Sequence, residues 1–177
     1  MVEVVIDSIR VSLMSQHRVV VLKDTTSERY LTIFIGPCEA DAITVHLQHL
    51  QGGPKPQRPM THDLLKSVIE TFGGVLQRIV INALRDEIYY AELIVDVDGR
   101  EIRIDSRPSD AIALAVRAGA SIFVAEEVMI QAATTPDEEI VESLEAGEED
   151  EEAPAPEEGE SDLDVFADFI DKLDLDD

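Results

Sequence analysis

The chain has one cysteine, no tryptophan and no long apolar run, and each shortage narrows what it can be. A single cysteine, Cys38, leaves no intrachain disulfide framework and fits a reducing compartment. No apolar stretch approaches the ~20 residues that cross a bilayer as a helix. The opening "MVEVVIDSIR" has neither the basic start nor the apolar centre of a secretory leader. These absences set the expectation of a soluble, cytoplasmic protein with no membrane partner. Also missing are a Gly-rich phosphate loop, a G-x-S-x-G elbow, a C-x-x-C pair and an H-E-x-x-H helix, so the chemistries those motifs carry are set aside.

Basic residues are scarce as well: 14 Lys and Arg against 38 Asp and Glu, a formal charge of −24 over 177 residues. Residues 1–135 hold 18 acidic and 13 basic side chains, whereas residues 136–177 hold 20 acidic side chains and one lysine. The acidity therefore belongs to the end of the chain. Phosphate binding draws on clustered Lys and Arg, and the nearly balanced body leaves room for a local basic patch.

Three segments follow: a body over 1–135, an acidic linker over 136–160 expected to be disordered, and a terminal stretch over 161–177. In the last, Leu163, Phe166, Phe169, Ile170 and Leu173 recur at spacings of three and four, which predicts an acidic amphipathic helix capped by Ser161. Such a helix is either a docking motif for a protein partner or a segment that folds back or forms only transiently.

Within the body, residues 2–12, 17–24 and 29–35 are short, β-branched and separated by polar turns, and they read as strands. After Gly36-Pro37, residues 38–50 carry helical spacing, and the Gly- and Pro-rich stretch 51–59 reads as a loop. Thr61 is placed to cap a helix over 62–72 that ends at Gly73-Gly74, with Asp63 in its first turn. Strands are then expected over 75–84, 87–97 and 100–105, with a tight turn at Asp98-Gly99. A helix over about 107–118 stops at Gly119, and 121–125 and 128–132 read as final strands.

Residues 31–47 and 100–116 align without a gap, with Ile33/Ile102, Ile35/Ile104, Asp41/Asp110, Ala42/Ala111 and Ile43/Ile112 identical. Three strands followed by a helix, met twice, point to an internal duplication of a β-β-β-α unit. The expected fold is α+β, a mixed or antiparallel sheet with packed helices. From Ala111 to Ala118 only Arg117 is polar, so that helix must be covered on nearly all sides, by another helix or by a second subunit.

The start of that helix, "DSRPSD", is where chemistry can gather. With Asp105 or Ser106 as N-cap, Pro108 falls in the first turn, and Arg107, Ser109 and Asp110 crowd a helix start whose free N–H groups attract anions. A phosphate held there by Arg107 is one reading. An Arg107–Asp110 pair at i, i+3, purely structural, is the other, and on spacing alone the better supported. His46 and His49 have a spacing that can place two imidazoles on a metal, but no third ligand lies near in sequence. His62, beside Asp63 at a helix start, is the better candidate for a general base, since imidazole ordinarily titrates nearest working pH. If the two duplicated helix starts face one another, Glu39, Asp41, Asp105 and Asp110 would assemble carboxylates able to hold divalent ions such as Mg2+.

The blocks "IFIGPCEADAI", "RPMTHDLL" and "IVINALRDEIYYAELIVDVDGREIRIDSRPSDAIALAVRAGASIFV" together resemble the bifunctional nuclease domain family, in order and over roughly residues 1–135. The resemblance implies activity on both DNA and RNA, and a triangular α+β subunit that pairs into a wedge-shaped homodimer with a groove at its thick end. Positions that match the motif blocks are Glu39, Arg58, His62, Asp63, Ser106, Arg107, Ser109 and Asp110. The resemblance carries over positions and not roles; from the chemistry of the side chains His62 is expected as base, Asp110 and Glu39 as orienting or ion-binding carboxylates, and Arg107, Arg58, Ser106 and Ser109 as phosphate contacts. The alternative is a non-catalytic regulatory module that holds an anionic ligand or protein segment at the same helix starts. After residue 135 the sequence departs from relatives that carry a helical hairpin there. The acidic segment in its place is expected to compete with nucleic acid for a basic groove, so deleting 136–177 should tighten binding at low salt.

Overall fold

The computed structural model describes residues 1–11, 18–54 and 57–135. The segments read from sequence as an acidic linker (136–160) and an amphipathic helix (161–177) lie outside the described residues. The elements are β1 (Val2–Val11), β2 (Arg18–Asp24), β3 (Tyr30–Ile35), α1 (Pro37–Leu50), α2 (Thr61–Thr71), β4 (Gly74–Arg85), β5 (Ile88–Val97), β6 (Arg100–Ser106), α3 (Pro108–Ala118), β7 (Ser121–Val124), α4 (Glu126–Ala132) and β8 (Ala133–Thr134).

The strands form one eight-stranded mixed sheet in the order β6-β5-β4-β7-β1-β2-β3-β8, antiparallel throughout except where β4 and β7 run parallel. The order reads outward from β7 as β4-β5-β6 on one side and β1-β2-β3 on the other, each a three-strand meander followed in sequence by a helix. Asp98 and Gly99, at φ 52° and 78°, both adopt the left-handed conformation that the two-residue turn between β5 and β6 demands.

Ile43 of α1 and Ile112 and Leu114 of α3 pack on Leu22, Leu31, Ile79, Ile81 and Leu93 of the sheet. Burying each such side chain stabilises the fold by about 1.5–3 kcal/mol. Residues Ala111 to Ala115 of α3 are essentially inaccessible. Their cover comes from α1, α2 and strands β4, β5 and β7 of the same chain, so the apolar body of α3 requires no second subunit.

Three local expectations are corrected. Residues 128–132 belong to helix α4 rather than a strand: Val128 and Met129 are buried while Ile130 is 75% exposed, which breaks strand alternation, and Glu126 and Glu127 favour the helix start. Thr61 is the first helical residue of α2, not its cap; Met60 is the N-cap. In α3 the N-cap is Arg107, not Asp105 or Ser106, because β6 runs on to Ser106 and leaves no slack between strand and helix.

Arg117 ties the three long helices together. Its Nε donates to Asp63 Oδ1 of α2 at 2.8 Å, Nη2 to the Ala42 carbonyl of α1 at 2.9 Å, and Nη1 to the Ala113 carbonyl of its own helix at 2.8 Å. A guanidinium with only 2% of its side chain exposed is tolerated because these three acceptors replace water.

Candidate functional site

The N-terminal turns of α1, α2 and α3 open on one cleft of about 510 Å³, lined by Cys38, Glu39, Ala42, Met60, Thr61, His62, Arg107 and Asp110. Local sequence explains the arrangement. Pro37 and Pro108 each follow a strand after a single N-cap residue, Gly36 or Arg107, and take the first helical position, where a missing N–H costs nothing. Each helix then places an acid at its third position: Glu39, Asp63 and Asp110. Carboxylates there oppose the positive end of the helix dipole.

The three acids are used differently. Asp63 turns back to accept from its own N-cap, the Met60 N–H, at 2.8 Å. Glu39 and Asp110 instead share one guanidinium. Arg107 Nε and Nη2 reach Asp110 at 2.8 and 3.2 Å, and Arg107 Nη1 reaches Glu39 Oε1 at 3.1 Å. His62 Nε2 lies 3.2 Å from Asp110 Oδ1, the oxygen that Arg107 Nη2 also reaches.

Burial pushes the Asp110 carboxyl up, but the hydrogen bonds and charges of Arg107 and His62 outweigh it and hold the group below the usual carboxylate range. Asp110 is therefore ionised and can only accept, so the proton between the two residues sits on His62 Nε2. In the neutral form of that ring, Nδ1 is the nitrogen left free to accept a proton. The Arg107 guanidinium is held more firmly in its charged form, chiefly by its hydrogen bond to Asp110.

The residues expected from sequence are divided among three places. Glu39, His62, Arg107 and Asp110 meet in the cleft just described. Arg58 lies across α2 in a cleft of about 460 Å³ with His46, His49, Asp63, Lys66 and Arg117. Burial, then the nearby Arg117 charge, push the His46 imidazole below its ordinary range. Ser109 is buried and lines a third cleft with Arg107, while the Ser106 hydroxyl donates to the Arg107 carbonyl at 3.0 Å.

Asp41 and Asp105 are exposed and stay out of the cluster. Counting from the caps Gly36 and Arg107, the partner of Asp110 is Glu39, while Asp41 sits two residues deeper in its helix. The shared Asp-Ala-Ile is thus out of step with the helix starts. Among the described residues no three His, Cys, Asp or Glu side chains converge as a metal ligand set. The Arg107 guanidinium bridges Glu39 and Asp110, so the pair does not fit a divalent ion as it stands.

Sequence reasoning missed Cys38 and the backbone of α1 and α2 as walls of the cleft, and Arg117 as the clasp behind it. Pro37 with Glu39 two residues on, repeated as Pro108 with Asp110, was the available signal.

An α+β domain that turns three helix N-termini onto one ion-paired cleft is a frame suited to receiving an anion. A family profile described as the bifunctional nuclease domain matches residues 20–137. Two Mycobacterium tuberculosis proteins, the uncharacterized protein MT1877 of strain CDC 1551 / Oshkosh and the uncharacterized protein Rv1829 of strain ATCC 25618 / H37Rv, are each 37% identical over 176 residues. The alignments cover 99% of this chain and 96% of theirs, and so run on through the acidic segment. The chain belongs to the bifunctional nuclease domain family. Among the described residues no helix is long and apolar enough to cross a membrane.

Proposed function

We propose that this protein hydrolyses phosphodiester bonds in DNA and RNA, with the cleft at the three helix starts as its active site. The observation that carries this is the convergence of α1, α2 and α3: Cys38, Glu39, Thr61, His62 and Asp110 belong to first turns, whose N–H groups have no intrahelical acceptor. With His62 neutral, Glu39, Arg107 and Asp110 sum to one negative charge. The helix ends, not the side chains alone, supply the attraction for a phosphodiester.

In this reading Arg107, pinned by Glu39 and Asp110, presents its exposed face to the non-bridging oxygens. His62 Nδ1 takes a proton from the attacking water as the water oxygen bonds to phosphorus. The bond from phosphorus to the leaving oxygen breaks, and the imidazolium returns that proton to the leaving oxygen. Asp110 holds the ring in the required tautomer and stabilises the imidazolium, as a carboxylate behind a histidine does elsewhere. Ser106 and Ser109 flank Arg107 in sequence but lie outside the lining of this cleft, and Arg58 holds a phosphate further along the strand from its own cleft. No step is routed through a metal.

Purified protein incubated with labelled single-stranded RNA and DNA, with Mg2+ or with EDTA, tests this. Cleavage is expected in both; loss with EDTA would require Glu39 and Asp110 to leave Arg107 for an ion and would overturn the metal-free step. A second probe is Cys38, exposed and in the cleft wall. A bound oligonucleotide should slow its maleimide labelling several-fold, and unchanged labelling would place the substrate elsewhere.

Two further points belong to the same reading. A second copy would find an apolar surface on α2, where Leu64, Leu65, Val68 and Phe72 are exposed; sedimentation of a Val68→Asp/Phe72→Asp variant as a monomer would support a homodimer through it. The non-catalytic module is favoured by one observation, that both cleft carboxylates are already paired with the Arg107 guanidinium. Tight oligonucleotide binding with no turnover would decide for it.

A further inference from the structure

The cleft that holds Arg58, about 460 Å³, is where positive charge gathers in this acidic chain. Three of the 14 Lys and Arg side chains line it: Arg58, Lys66 of α2 and Arg117 of α3. Two of the four histidines, His46 and His49 of α1, join them. Against these stand two carboxylates, Asp63 and Glu70. With both imidazoles neutral the lining carries one net positive charge, whereas Glu39, Arg107 and Asp110 in the cleft at the helix starts sum to one negative.

The cations are not equally engaged. Arg117 is held by Asp63 at 2.8 Å and by two helix carbonyls. Lys66 and Glu70 form only a partly exposed pair at 3.6 Å, and i, i+4 pairs of this kind hold weakly. Arg58 is exposed and makes no ion pair with any described residue. On α1 the rings of His46 and His49 stand edge to face, with centroids 6.3 Å apart. Burial, then the Arg117 charge, push His46 below its ordinary range, so its neutral ring offers one N–H. His49 Nδ1 lies 3.4 Å from the Gly53 carbonyl, which leaves Nε2 for a ligand.

We infer that this cleft binds a phosphomonoester, with Arg58 and Lys66 on its peripheral oxygens and the two imidazoles beside them. Such a group ends a nucleic-acid strand and is also carried by a free mononucleotide. The strand as its source rests on the reading of the cleft at the helix starts as a phosphodiester site; the binding of a phosphomonoester does not. A monoester carries about −1.5 to −2 at pH 7 and three acceptor oxygens, while a diester keeps a single charge. The two clefts sort them. A dianion beside Glu39 and Asp110 meets a net negative lining, but here it meets a guanidinium fork and an ammonium free to turn to it. A divalent cation is disfavoured by the same charges, and no three ligating side chains converge among the described residues. Pro59 and Asp63 line this cleft, and the three residues between them, Met60, Thr61 and His62, line the other. A strand anchored here by its phosphorylated end therefore reaches the other cleft across the start of α2.

Titration calorimetry of the full-length protein with cytidine 5′-monophosphate and with cytidine tests the site. Phosphorothioate-linked oligo-dC octamers bearing a 5′-phosphate, a 3′-phosphate or neither, chosen to resist cleavage, identify the source. One of the phosphorylated octamers should bind about tenfold tighter than the unphosphorylated one, the size of a charge-assisted hydrogen bond. Arg58→Ala and, independently, Lys66→Ala should each narrow that ratio several-fold, with circular dichroism unchanged. A mononucleotide that binds as tightly as the phosphorylated octamer, with the same dependence on Arg58, supports the site and assigns it to free nucleotides. Equal affinity for all three octamers, with no preference for the monophosphate over cytidine, overturns it. So does a preference that neither substitution moves. The readout is binding, so a protein that prefers the phosphorylated ligand but cleaves nothing contradicts the nuclease reading alone. One that cleaves without the preference contradicts the phosphomonoester site alone.

Discussion

His62 and Asp110, 48 residues apart in sequence, meet with Nε2 at 3.2 Å from Oδ1. The next residue, Asp63, accepts from Arg117 Nε at 2.8 Å. Two successive residues of one helix start therefore grip the two ends of α3, Asp110 near its beginning and Arg117 near its end. The first contact lines the cleft of the proposed function, and the second holds the helices that form it.

Removing the clasp should be costly. Arg117→Leu leaves Asp63 and two helix carbonyls without their donor, and breaking a largely buried pair from one side costs roughly 3–5 kcal/mol. Arg117→Lys should recover little, since one ammonium cannot reach three acceptors in the guanidinium's fork. Urea denaturation checks both, and a loss under about 1 kcal/mol for Arg117→Leu would show that the clasp is dispensable.

Acid should unfold the protein partly through Asp24. This buried carboxylate accepts from the Thr26 amide and hydroxyl at 2.8 Å, from the Ser27 hydroxyl at 2.6 Å, and from Arg29 at 2.9 and 3.1 Å. Burial raises its pKa, yet these bonds together outweigh burial and take it well below the usual carboxylate range. A group depressed on folding stabilises above its unfolded value, about 3.9, and that contribution is lost as pH falls through the folded value. Asp24→Asn should cost about 3 kcal/mol at pH 7 and flatten stability against pH below about 4. A variant that keeps the full acid slope would place that linkage in other carboxylates.

Gly36→Ala tests the geometry of the cleft without replacing a charged group. A Cβ at Gly36 would run into the Glu39 carboxylate. The carboxylate must move, and its 3.1 Å pair with Arg107 should loosen. The expected outcome is an unchanged melting temperature to within a few degrees, with oligonucleotide affinity altered several-fold. No change in affinity would mean that Glu39 does not hold Arg107 for substrate.

Much of this fold was readable because hydrophobic period and turn chemistry agreed along most of the body. Asp98-Gly99 specified its hairpin, and the valines and isoleucines of β1 to β6 set the strands. Residues 128–132 misled because a short apolar run has no decisive period, and only the sheet shows that Ile130 faces outward. Arg107, His62, Asp110 and Glu39 could be named from sequence, and the Arg107–Asp110 pair followed from i, i+3 spacing. The position of Arg58 could not, since it depends on which side of α2 the 51–59 loop crosses. The Asp41/Asp110 match misled for a related reason: identity in sequence took no account of where each strand ends and its helix begins.

The most direct measurement is kcat/KM on single-stranded RNA and DNA for the wild type, His62→Ala and Asp110→Asn, each repurified identically and confirmed folded by its melting curve. The wild type should cleave both. His62→Ala should lose about 10²–10⁴-fold, the usual worth of a positioned general base, and Asp110→Asn should lose a comparable part by releasing the ring. A His62→Ala/Asp110→Ala double variant that cleaves as fast as the wild type would show that the activity arises somewhere other than this cleft.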